Sequence, residues 1–153
     1  MEERIQSIKE KKLFLKNDID KRAHLLNKYT KIKNTFSVVG KVSAVIAGLT
    51  GAGGIITAST VALLPVSIGL DSVVVFCGIS FVLSTKIFDY VSKKIEKHEK
   101  IKLVAINKLE EISKIIGEDE EIDAEEFNAI SNHYEEFHKL SSDIKSKYEN
   151  NIN

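Results

Sequence analysis

The sequence predicts an all-α protein: a hydrophobic helical hairpin flanked by long amphipathic helices that form an antiparallel helical stalk. Three observations carry this expectation. Proline occurs once, at Pro65, so helices can run uninterrupted through most of the chain. Apolar residues recur at three- and four-residue spacings on both sides of residues 42–85, a stretch whose single charge is Asp71. No segment sustains a period of two, which argues against strands. At 153 residues the chain fits one domain. It divides along its length into an N-terminal amphipathic helix (1–35), the hairpin (36–90), a helical extension (91–116) and an acidic C-terminal helix (117–153).

In the first segment, Ile5, Ile8, Leu15, Ile19, Leu26, Tyr29 and Phe36 fall on one alternating series. Lys12, Arg22 and Lys33 fill its remaining positions. The pattern is that of an amphipathic helix with a coiled-coil tendency, interrupted by cations.

Residues 42–85 suffice for two membrane crossings, since one span of hydrocarbon core takes about 20 helical residues. The first span is expected at 38–64 and the second at 68–90. The reversal between them is read from Leu64-Pro65-Val66-Ser67-Ile68-Gly69-Leu70-Asp71. There Pro65 ends the helix behind it, Gly69 frees the backbone, and Ser67 or Asp71 caps the helix that follows. Gly, Ala, Ser and Thr supply 21 of these 44 residues. Gly40, Ala44, Gly48 and Ala52 recur every four residues, a ridge that permits close helix packing. Ser80 and Ser84 offer a similar ridge on the second span, and three glycines in 51–54 are expected to bend the first.

Past the hairpin, Ile87, Val91, Ile95, Ile101, Ala105, Leu109, Ile112 and Ile116 mark one side of a helix that ends near Gly117. A last helix starts at Asp123, with Glu126 three residues on to complete a capping box. Its apolar stripe is Phe127, Ile130, Tyr134, Phe137, Ile144 and Tyr148, with Ser141 alone off pattern.

The formal net charge of zero conceals segregation. Residues 1–41 carry +6, residues 86–116 carry +3, and residues 117–153 carry −8. Such single-sign segments predict pairing between the ends of the chain, with the apolar seam providing the stability.

Several apparent sites dissolve on counting. Gly51-Ala52-Gly53-Gly54 lacks the Gly-Lys-Ser/Thr of a phosphate loop. His133 and His138 stand five apart, about 140° round a helix, and do not converge on one metal. His24 and His98, like His133 and His138, read as solvated or rim residues. Residues 119–127 resemble half an EF-hand loop, but Ile115 and Gly117 occupy the first carboxylate positions. Cys77 reads as a small buried hydrophobe, and Asp71 as a helix cap rather than a proton relay. No catalytic constellation, cofactor site, metal site or small-molecule substrate is indicated. The lysines lack interleaved aromatics, so nucleic acid is not expected as a partner. No apolar run precedes residue 36, so no cleavable signal peptide is expected.

The layout resembles a family of helical proteins from virus-like mobile elements of animals, of the Polinton/adintovirus kind. The resemblance rests on Lys28-Tyr29-Thr30-Lys31, on Leu64-Pro65-Val66-Ser67-Ile68 and on Ile122-Asp123-Ala124-Glu125-Glu126-Phe127. It implies a small membrane-associated accessory or virion protein.

The function expected from the sequence is non-enzymatic. The hairpin would insert in a bilayer to anchor, remodel or permeabilise it. Lysines on both flanks would hold both termini on the cytoplasmic side. The lipid bilayer and a second copy or another helical protein are the expected partners. The alternative is a soluble helical-bundle interaction module with the hairpin buried.

Overall fold

A computed structural model describes residues 2–58, 64–116 and 122–150, with the side chains of 46–58 and 64–75 left out. The described chain is all-helical: α1 (Glu2–Ala58), α2 (Leu64–Ile116) and α3 (Ala124–Asn150). Helix α1 opens with Glu2 and Glu3 in its first turn, where carboxylates oppose the positive end of the helix dipole. It continues as helix through Gly51, Gly53 and Gly54 to Ala58. The 35/36 and 90/91 boundaries read from composition therefore fall inside single helices. Nothing in the backbone marks them, because a change from polar to apolar side chains does not alter helical φ and ψ.

The start of α2 places the expected turn differently. Pro65, Gly69 and Asp71 all lie in α2, which opens at Leu64. Pro65 sits in the first turn, where its missing N–H has no intrahelical partner to lose. Residues 59–63 lie outside the described residues. Gly117 and the acidic run after it also lie outside them; α2 is helical as far as Ile116.

Two compact units arise from these helices. One comprises Met1–Tyr29 with Lys93–Asn153, the other Thr30–Ser92. In the first, Ile8 and Leu15 of α1, Ile101, Ala105 and Ile112 of α2, and Ile130 and Phe137 of α3 form one buried core, closed by Ile122. Leu15, Ile101, Ile112 and Ile130 are completely buried. Phe127, Tyr134 and Ile144 pack against it, half-buried. The stripe expected on α3 is thus its buried face, and Ser141 is buried within that face.

In the second unit, α1 and α2 meet through small side chains. A Cβ placed on Gly40 would lie 3.5 Å from the Ser84 Cβ. Ser43, Cys77 and Ser84 are buried, and Lys33 stands 4.9 Å from the centre of the Phe88 ring. Large apolar residues are left outward on both helices, among them Val38, Val42, Val45, Phe76, Ile79 and Leu83.

The expectation of a membrane-inserted hairpin is corrected. Among the described residues, no helix is long and apolar enough to cross a membrane. The spans read at 38–64 and 68–90 are not separate apolar helices. Residues 38–58 belong to α1 and residues 68–90 to α2, helices that also carry the lysine-rich segments. Gly, Ala, Ser and Thr further dilute the apolar content that a hydrocarbon core demands. The transmembrane reading fails with that finding, and so do the bilayer-based function and the membrane address for both termini.

Candidate functional site

Buried positions of α1 recur every seven residues: Ile8, Leu15, Arg22 and, in the second unit, Ser43. On α2 a similar series joins Ser84, Val91, Ala105 and Ile112, with a second through Ile101 and Lys108. A seven-residue repeat keeps one side of a helix against its neighbours. Arg22 and Lys108 therefore occupy seam positions, where a charge must be paired to be tolerated.

Arg22 is 7% exposed. Its Nε and Nη2 donate to the two carboxylate oxygens of Asp18, at 2.5 and 3.1 Å, one helical turn back. Its Nη1 reaches His98 Nδ1 of α2 at 3.2 Å. A guanidinium only donates, so Nδ1 must accept and the ring proton sits on Nε2. The imidazole stacks on Tyr29, ring centres 5.6 Å apart and planes 17° from parallel. Burial first, then the positive charges of Arg22, Lys97 and Lys94, push the His98 pKa below its ordinary value; Asp18 opposes the shift.

Lys108 is a second buried cation, 9% exposed. It donates to Glu111 on its own helix and to Glu136 on α3, both at 2.7 Å. Burial works against its charge, yet these bonds carry its pKa upward. The Lys108 hydrogen bond lowers Glu111 in turn. His133 adds a contact to Glu111 at 3.0 Å. Nearer the end of α3, Lys97 donates to Glu149 at 2.8 Å, and Lys100 bridges Glu96 and Tyr148 at 2.8 Å each. Phe14 of α1 packs edge-on against Tyr134 and Phe137, and Lys11 donates to Ser131 at 2.6 Å.

The residues singled out from sequence distribute as follows. Gly40 is buried against Ser84. Ala44 is exposed at the edge of an open cavity of about 260 Å³, walled by Phe36, Phe81 and Phe88. Gly48 and Ala52 lie in α1, and their packing falls outside the described residues. The same holds for the surroundings of Pro65, Gly69 and Asp71. His133 and His138 diverge: the first pairs with Glu111, the second packs on Tyr134 at 4.6 Å between ring centres. Among the described residues no three His, Cys, Asp or Glu side chains are placed to hold a metal.

His98 and Lys108 were the residues that sequence reasoning missed. A signal existed for both. His98 lies seven residues after Val91 and seven before Ala105, and Lys108 lies seven after Ile101. An apolar-only search passes over such positions, although the repeat assigns them to the seam. No family model, curated protein or solved structure matches the chain.

Proposed function

We propose that this protein is a non-enzymatic, α-helical interaction module that assembles with a second copy of itself through the apolar faces at residues 38–45 and 76–83. The observation that carries the reading is the exposure of Val38 (61%), Val42 (51%) and Val45 (61%) at four- and three-residue spacing along α1. On α2, Phe76, Ile79 and Leu83 repeat the pattern and are also exposed. Apolar stripes at this spacing are what helices bury when they pair. Their solvation costs about 25 cal/mol per Å² of apolar surface. Asp71 is the one charge between Lys41 and Lys86. An ionic partner thus finds little to recognise here, whereas an equally uncharged surface, another copy of the same chain, matches by symmetry.

Residues 1–29 and 93–150 would act as the stalk of this module, an antiparallel bundle. Contact order supports that arrangement. Ile8 lines a cavity with Ile116 and Ile122, while Arg22 reaches His98. Lys108 meets Glu136 while Lys97 meets Glu149. The titratable clusters pair with one another across and along helices, which suits a role in assembly rather than in chemistry.

Sedimentation equilibrium of the purified chain across the micromolar range tests this reading. The expected result is a mass at least twice 17.1 kDa, with Val42→Lys shifting the protein towards monomer while its helical circular dichroism is retained. A wild-type chain that sediments as a monomer throughout would overturn it.

A further inference from the structure

We propose that Asp18, Arg22, His98 and Tyr29 form a pH-sensitive latch that fastens α1 to α2 at neutral pH and releases them on mild acidification. The inference is independent of what covers residues 38–45. It rests first on hydrogen-bond inventory. Both oxygens of Asp18 are engaged by Arg22, and the remaining guanidinium nitrogen is directed at His98 Nδ1. Arg22 cannot accept a hydrogen bond and stays protonated. A proton added to His98 Nδ1 therefore sets an N–H⁺ against an N–H⁺ at 3.2 Å, replacing a hydrogen bond with repulsion. No rearrangement of Asp18 relieves this without breaking its own pair with buried Arg22.

The surroundings reinforce the effect. Tyr29 covers one face of the ring, limiting access of water. Lys94 and Lys97 of α2 add positive charge, and Lys97 itself holds Glu149 of α3 at 2.8 Å. The charges acting on the imidazole are thus three cations, Arg22, Lys97 and Lys94, against the carboxylate of Asp18, which is committed to Arg22. Leu15, Ala105 and Ile112 are buried apolar side chains, and His133 near Ile112 has the Glu111 carboxylate at 3.0 Å as well as Lys108 at 3.4 Å, so a proton on that ring meets an acid within bonding distance.

The sign follows from the lowered His98 pKa. The opened state binds the proton at an ordinary affinity, near pH 6.5, and the latched state binds it more weakly. The latch therefore has its full strength above about pH 6.5 and loses it as the pH falls towards the lowered value. Each unit between the two values weakens the closed state about tenfold.

Imidazole NMR titration combined with amide hydrogen exchange between pH 7.5 and 5 tests the proposal. The full chain is to show a neutral His98 with its proton on Nε2 and a titration midpoint below 6.5. Protection at residues 22–29 and 94–101, corrected for intrinsic rates, is to fall on acidification, while amides of 105–112 keep theirs. His98→Gln retains an acceptor but cannot titrate, and should remove the pH dependence; His24→Gln should preserve it. Should His98→Gln not fold, the wild-type titration decides alone. An Nδ1–H tautomer, a midpoint at or above 6.5, pH-independent protection, or unchanged pH dependence in His98→Gln would each overturn the latch.

Discussion

Asp123 and Glu126 hold each other's backbone amides at the start of α3. The Glu126 N–H donates to Asp123 Oδ1 at 2.8 Å, and the Asp123 N–H donates to Glu126 Oε2 at 3.0 Å. The Phe127 N–H then donates to the Asp123 carbonyl at 3.2 Å, starting the helical ladder. This box sets the level at which Phe127 and Ile130 enter the core. Asp123→Ala should cost about 1 kcal/mol in urea unfolding. Glu126→Gln keeps an acceptor and should cost less. Equal losses for the two would show that charge, not the reciprocal bond, stabilises the terminus.

Phe137 joins the buried core at 2% exposure and meets Phe14 from α1. Phe137→Ala should destabilise the first unit by roughly 3–5 kcal/mol, the range for emptying a buried aromatic site. Raising salt should not reproduce this loss. Limited proteolysis within 124–150, compared for the variant and for wild type in high salt, makes the distinction.

Lys108 predicts an asymmetry between the two sides of its ion pairs. Its partners Glu111 and Glu136 retain 42% and 54% of their side-chain exposure and can return to water, whereas Lys108 cannot. Lys108→Met should therefore be close to neutral in thermal unfolding. The double change Glu111→Gln with Glu136→Gln strands a buried cation and should cost about 1–3 kcal/mol. The reverse order would mean that Lys108 stabilises through attraction alone.

Acid should weaken the same region for a separate reason. The folded-state pKa values of Glu111 and Glu149 are lowered by their lysine hydrogen bonds. Stability from these groups is present above their ordinary value of 4.5 and is lost as pH falls through the lowered ones. Replacing both with Gln should flatten the pH dependence of unfolding below 4.5. It should leave the limb near pH 6 unchanged, because that limb belongs to His98.

Gly40 tests the second unit. Added carbon there meets the Ser84 Cβ at 3.5 Å, an ordinary contact. Gly40→Ala should be tolerated, and it removes a helix penalty of up to about 1 kcal/mol. Gly40→Leu must push the two helices apart, at a cost of about 1–3 kcal/mol. A leucine variant as stable as the alanine variant would show that α1 and α2 do not depend on close approach at this level.

The sequence by itself determined the helical class, the cap at Asp123 and the buried stripe of α3. Each is written locally: a missing proline, a three-residue spacing between two acids, a 3.6-residue repeat of Phe, Ile and Tyr. Composition misled where it was asked for topology. Residues 42–85 carry one charge, but a backbone helix does not end where side chains change character, so α1 continues from Glu2 to Ala58. Low charge also suggested a membrane, although nearly half of the stretch is Gly, Ala, Ser or Thr. Only the tertiary structure decided the roles of Arg22, His98 and Lys108. A cation or imidazole on a seam reads as an interruption in one dimension. It becomes a linchpin once Asp18, Glu111 and Glu136 supply counter-charges from one turn away or another helix, because burial makes a charge depend on its partner, and partners are fixed by packing.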